Sequence, residues 1–543
     1  MTAETTEGPS PRRPRTPLRI AALLVLALAG SLAALAHIAA AVAQEAGGDA
    51  GAQVAEFALT PEDRVLYRDA LEAIEKKNWS RARTLAGRGH NGLAARIVEW
   101  FFFRERGAGT FAEVAGFIDQ NPDWPWRGTL RRNAERLLGD GARYDDGEVR
   151  AWMERWPPLI GEGRAVLGEI LLRAGEEDEG LALLRGAWSG TVLSRKQELH
   201  IWRRYRRSLR EEDHLRRTDM LLWERQIRAA RRMVPRLPRR HRALAEARIG
   251  LMEFGGNVDT LILRVPEDQA GDGGLAFERV RWRRSKGFDE RAREILLAPP
   301  LDPVRPDLWW RERKIQVRRA LGEGAITDAY RIAAQHGLRS IAPGYADAEW
   351  LAGWVVLRFL EEPITALGHF ARMHAAVKYP VSLARAAYWA GRAAAAAGDA
   401  ALAKTWYERA ALHQLTYYGQ LAMHERGESV RLDRPPPLVP ALAEAETFRD
   451  KELVRATRLL AELGFARLAS PFVLKLGEDA ETPGERALTA VLAHDIGRTD
   501  LGVRVAKGAA LEGITMIVRG YPLVDLAAGE GVEPALLLAI ARQ

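Results

Sequence analysis

The sequence predicts an all-α chain, a curved or ring-like irregular solenoid of antiparallel helix pairs, and three observations carry that prediction. Apolar residues recur at helical spacing over almost the whole length after Thr60. Short breaks rich in Gly, Asp or Pro interrupt the pattern about every dozen residues, so that each helix folds back on the one before. No alternating strand pattern and no strand–helix–strand rhythm appears; residues 260–265 are the one short segment with strand character, and Pro266 beside them favours a loop or a helix edge.

The elements follow in order. Residues 1–19 are polar and carry Arg12, Arg13, Arg15 and Arg19, residues 20–43 are almost wholly apolar, and Ala41-Val42-Ala43 closes the run. This is the plan of a secretory signal peptide cut after Ala43. A run of about 20 apolar residues can also span a bilayer, so an uncleaved anchor is the alternative. Either way the body crosses the inner membrane, and no later stretch is apolar enough to span. Thr60-Pro61-Glu62-Asp63 reads as a helix N-cap with proline and acids in the first turn. Leu66, Tyr67, Ala70, Leu71 and Ile74 then recur at helical spacing, Asn78-Trp79 breaks that helix, Ala82, Leu85 and Ala86 begin the next, and residues 93–103 form another. Clear pair breaks are Ala174-Gly175, Gly322-Glu323-Gly324, Gly398-Asp399 and Gly464-Phe465. Two proline-rich seams, residues 298–306 and 433–440, divide the body, and a last helix begins near Glu533-Pro534.

At 543 residues, 47% hydrophobic and 28% charged, the chain is globular and long enough for three or four units of about 150 residues. The net charge is +8, of which the leader's four Arg and two Glu supply +2. The remaining +6 reads as spread along the chain, a weak general attraction for polyanions. No zinc-finger spacing, RNP motif or compact basic block points to nucleic acid. The absence of cysteine excludes disulfides, thiolate metal sites, a cysteine nucleophile and a lipid-modified N-terminal cysteine.

His369 and His374, five apart, fall on different helix faces and make no metal pair, and no other motif implies a metal or cofactor. Trp124, Trp126, Trp309 and Trp310 are candidates for stacking on sugar rings; the competing reading is that they anchor helix packing. The acid pairs Glu176-Glu177, Glu211-Glu212 and Glu361-Glu362 read as solvated helix starts, and no acid is nominated as catalytic.

Three groups of motifs resemble the soluble lytic murein transglycosylases. The first is Trp79, Ile97-Val98-Glu99-Trp100 and Asn121-Pro122-Asp123-Trp124-Pro125. The second is Glu349-Trp350-Leu351-Ala352-Gly353-Trp354, Ala386-Ala387-Tyr388-Trp389-Ala390-Gly391-Arg392 and Tyr417-Tyr418-Gly419-Gln420-Leu421. The third is Gly531-Val532-Glu533-Pro534 through Ala541-Arg542-Gln543. The resemblance implies a U-shaped superhelical domain over residues 44–432, a linker domain over 433–513 and the start of a lysozyme-like catalytic domain over 514–543. It implies a periplasmic enzyme that cleaves the bond between N-acetylmuramic acid and N-acetylglucosamine to give a 1,6-anhydro product. Its partners would be glycan strands of peptidoglycan and other cell-wall enzymes. In that family the motif continues with the catalytic glutamate, which would lie just after Gln543. No catalytic residue is therefore assigned, Glu533 is not given the role, and residues 1–543 are expected to be inactive alone. The alternative is a periplasmic helical-repeat scaffold or binding protein without chemistry.

Overall fold

The computed structural model describes residues 59–139, 144–298, 304–428, 438–524 and 532–542. The leader with its cleavage point, most of both proline seams and Gln543 lie outside the described residues. Among the described residues there are 29 α-helices and no strand. The first stretch holds α1 (Pro61–Glu75), α2 (Trp79–Ala86), α3 (Gly92–Phe103), α4 (Phe111–Gln120) and α5 (Arg127–Gly139). After it come α6 (Asp146–Arg155), α7 (Gly161–Arg173), α8 (Glu177–Gly190), α9 (Arg195–Tyr205), α10 (Glu211–Trp223), α11 (Ile227–Met233) and α12 (Arg239–Met252). Then follow α13 (Val258–Leu263), α14 (Gly273–Ser285), α15 (Asp289–Leu297), α16 (Pro306–Gly322), α17 (Ile326–Ala334) and α18 (Tyr345–Phe359). The next four are α19 (Pro363–Ala376), α20 (Pro380–Ala396), α21 (Ala400–Ala411) and α22 (Tyr417–Glu425). The last are α23 (Leu442–Asp450), α24 (Glu452–Glu462), α25 (Ser470–Asp479), α26 (Pro483–Asp495), α27 (Thr499–Leu511), α28 (Ile517–Gly520) and α29 (Pro534–Arg542).

Local chemistry sets these boundaries. Thr60 caps α1 by accepting from the Asp63 N–H at 3.1 Å, with Pro61 in the first turn, and Asn78 caps α2 through Arg81. One turn type joins the helices of successive pairs. The residue between them takes a left-handed conformation, as Gly175 does (φ 84°) and Gly398 (φ 82°), and the next N–H reaches back to a carbonyl of the last helical turn. Lys77 and Arg225 hold the same geometry without glycine (φ 54° and 55°). The strand-like segment 260–265 is largely helix, covered by α13, because Leu261 and Ile262 pack against the core of Ala247, Leu251, Val258 and Leu275.

The solenoid closes on itself. Phe448, Leu453, Leu460 and Phe472 of α23–α25 belong to the same apolar core as Trp100, Phe117, Trp124 and Leu130 of the opening helices. Phe472 lies 4.8 Å from Trp100 and 5.5 Å from Trp124, ring centre to ring centre. Glu452 accepts from Arg96 at 3.0 Å and from Trp124 Nε1 at 3.1 Å, and Arg64–Glu462 and Arg467–Glu75 add ion pairs across the seam. At their other end the closing helices meet the far arm, where α27 packs on α20. Buried rings of this size remove about 150–250 Å² each from water, which at ~25 cal/mol/Å² is about 4–6 kcal/mol apiece before entropy. The seam is therefore held by apolar burial, with the half-exposed ion pairs secondary. No helix among the described residues is long and apolar enough to cross a membrane.

Candidate functional site

The second group of motifs folds around one buried carboxylate. Gly344, at φ 95°, turns the chain into α18; a Cβ there would sit 2.9 Å from the Trp310 ring. This start places Glu349 on the buried stripe with Ala352 and Val356, only 3% exposed. His369 Nδ1 of α19 lies 2.6 Å from Glu349 Oε2, and Arg372 donates to both carboxylate oxygens at 3.0 and 2.9 Å. His336 approaches to 3.6 Å, and the Tyr330 hydroxyl touches the far nitrogen of His369 at 3.3 Å. Burial pushes the Glu349 carboxyl up, but bonding to His336, His369 and Arg372 outweighs it and holds the group well below the usual carboxylate range. A carboxylate held in its charged form by the Arg372 guanidinium and by two imidazoles fixes helix α18 to α19; it has no proton to give.

A groove of about 1050 Å³ lies between α5, α7 and α9. Leu138, Ala165, Val166 and Ile201 line it, together with Glu162, Glu169, Arg173, Lys196, His200, Arg203 and Arg204. Glu169 Oε1 stands 2.6 Å from His200 Nε2, and Arg173 is paired twice to Asp146 at 2.6 and 2.7 Å. Burial, then the charge of Glu169, pushes the nearby Tyr205 phenol up to about 12, so it stays a hydrogen-bond donor at neutral pH. An apolar floor with both signs of charge suits a ligand that carries carboxylates, hydroxyls and amines together.

Two carboxyls elsewhere are held toward the acid form. Burial pushes Glu278 up to about 7 despite Arg225 at 3.7 Å and Arg281 at 3.2 Å. Burial also raises Glu135, whose oxygens accept from the Leu159 and Ile160 N–H groups. Both are buried, and neither lines the groove. The raised Glu278 pKa favours the folded state below it: between the unfolded value near 4.3 and about 7 the folded chain binds more protons, so stability falls as pH rises. Glu278→Gln is expected to flatten that slope, worth on the order of 2–3 kcal/mol, in urea unfolding compared at pH 5 and pH 7.5.

The sequence candidates separate cleanly. Trp124, Trp309 and Trp310 are buried core rings, which overturns the sugar-stacking reading for them. Trp126 is 44% exposed, with the Arg104 guanidinium 3.6 Å over its ring. Glu176 is engaged by Arg150 at 2.5 Å, and Glu211, Glu212, Glu361 and Glu362 are exposed at helix starts and turns. His369 belongs to the Glu349 cluster, while His374 sits against Trp406, so the two do not converge. Among the described residues no group of three or more His, Asp and Glu could hold a metal. The buried acids Glu135, Glu198, Glu278 and Glu349 went unrecognised in the sequence. For Glu349 a signal existed, since it keeps helical register with the apolar residues Ala352 and Val356.

α29 is held at its end. Arg542 donates to the Gly520 carbonyl at 2.7 Å and lies 3.9 Å over the Tyr521 ring, while Lys507 donates to the Arg542 carbonyl at 2.7 Å. Its Leu536 and Ile540 remain exposed.

No protein-family model matches the sequence, and no curated protein does. Solved structures do. The 70-kDa soluble lytic transglycosylase of Escherichia coli aligns with 89% of this chain and 76% of its own, at TM-score 0.59 and 17% identity. The 70-kDa soluble lytic transglycosylase solved as a complex with bulgecin A aligns over the same shares at 18% identity. An inactive mutant of the lytic transglycosylase Slt of Pseudomonas aeruginosa aligns with 88% of this chain and 76% of its own, at TM-score 0.62 and 17% identity. The closed loop of helix pairs described above is thus the fold of the soluble lytic transglycosylases.

Proposed function

We propose that this chain is the helical body of a periplasmic peptidoglycan lytic transglycosylase. What supports the reading is the fold likeness over 89% of the chain, joined to the motif at residues 531–543 that resembles the opening helix of that family's catalytic domain. In this reading residues 1–43 direct export, residues 44–432 and 433–513 form the superhelix and linker, and the ring carries the chemistry rather than performing it. Cleavage of a glycosidic bond needs an acid to protonate the departing oxygen, help worth about 10² to 10⁴ in rate, and a groove that orients the sugar. Among the described residues the carboxyls held toward the acid form, Glu135 and Glu278, are buried away from the groove.

The polypeptide of residues 1–543 is accordingly expected to release no 1,6-anhydromuropeptides from purified sacculi, read by mass spectrometry against a no-protein control. A polypeptide continued through a following Glu-Ser and lysozyme-like domain is expected to release them, and to stop when that glutamate becomes glutamine. Product from residues 1–543 alone would move the chemistry into the ring. No product from the continued polypeptide would leave a scaffold.

A further inference from the structure

The positive charge is not spread along the chain, as the sequence reading has it. Residues 195–242 hold 17 Arg and Lys against six Asp and Glu, a net of +11 in 48 residues. The whole chain is +8, which leaves −3 for the other 495 residues. Sixteen of the 17 are arginine, whose planar fork grips phosphate oxygens two at a time.

Four of the six acids of this segment are engaged by particular arginines, while Glu211 and Glu212 stand exposed at the start of α10. Glu198, buried in α9, gathers Arg195 at 2.9 Å, Arg232 at 2.5 Å, Arg236 at 3.4 Å and Arg217 at 3.6 Å. Asp213 takes Arg216 at 2.8 Å. Asp219 and Glu224 turn to Arg248 and Arg305, outside the segment. This leaves Arg203, Arg206 and Arg207 at the end of α9, Arg228 on α11 and Arg239 at the start of α12, all exposed and without an ion pair among the described residues. The Glu198 cluster clasps α11 against α9, and Arg236, three residues before Arg239, lies 4.3 Å over the α9 ring of Trp202. The unpaired guanidiniums therefore belong to neighbouring elements of one region.

We propose that the face built by α9, α11 and the start of α12 docks on the phosphate headgroups of an anionic phospholipid bilayer. The unpaired arginines stand on three elements rather than along one channel, a layout that meets a sheet of phosphates better than a single strand. Trp202 and Tyr205 are partly buried, so no exposed aromatic platform stands beside them for nucleobases to stack on. The net negative charge of the remaining chain turns this region toward an anionic plane first. This inference is independent of the proposed activity.

The test is vesicle co-sedimentation of the chain from residue 44, which keeps every described element. The wild type is expected to bind vesicles of phosphatidylcholine with about 30% phosphatidylglycerol at ~0.1 M salt, and not vesicles of phosphatidylcholine alone. The variant carrying Arg203→Gln, Arg206→Gln, Arg207→Gln, Arg228→Gln and Arg239→Gln should bind at least about 100-fold more weakly, with unchanged circular dichroism and melting. Equal binding of both proteins to the anionic vesicles would overturn the proposal. So would binding to duplex DNA with none to the vesicles, which would make the partner a soluble polyanion.

Discussion

Glu349→Ala is expected to lower the unfolding free energy by roughly 2–4 kcal/mol, read by urea denaturation at pH 7. Removing one partner of a buried ion pair costs about 3–5 kcal/mol. The lower figure applies because Arg372 is half exposed and can turn to water, whereas the buried His336 and His369 lose their acceptor. The pH dependence carries a sign that identifies the cause. A carboxyl depressed in the folded state contributes stability above the unfolded value of about 4.3 and loses it as pH falls toward the folded value. Glu349→Gln keeps the shape, so it should cost about 1–2 kcal/mol at pH 7 and flatten the loss below pH 4.3. An alanine variant as stable as the parent would mean that the cluster contributes nothing net.

Trp124→Ala should be costlier, about 3–5 kcal/mol, and should also open the ring. Its ring lies 5.5 Å from both Phe117 and Phe472, and its Nε1 donates to Glu452, so truncation leaves a cavity where the first and last helices meet. Small-angle scattering should report a larger radius for the variant, and proteolysis should cut near α24. Trp126→Ala, at an exposed ring under Arg104, should leave both readings near the parent. If Trp124 instead served as a sugar platform, its loss would weaken glycan binding while leaving radius and stability unchanged.

These two positions mark how far the sequence could be read. The helix pairs were legible because a left-handed turn leaves a glycine behind, as at Gly175, Gly398 and Gly464. The turns at Lys77 and Arg225 use the same conformation and leave no such mark. A ring-like form was expected, but not the residues that close it. The contacts that make it join Arg64 to Glu462, 398 positions apart, and no periodicity links residues at that distance. Trp124 shows the same limit: its motif was visible, but burial against Phe472 depends on a helix far along the chain. The basic face escaped because counting charge over the whole length hides a local excess that acidic residues elsewhere cancel.

The closing seam also sets a clock. Trp124 and the Glu452 that receives its N–H are separated by 328 positions. A ribosome adding about 5–20 residues per second needs about 16–65 s to travel between them. Stacked repeats gain cover from their neighbours as they emerge, but the aromatic face of the first helices has its partner on α24 and α25. For that interval the part of the aromatic face that meets Phe472 and Glu452 stays uncovered in the growing chain, whatever the following repeats bury.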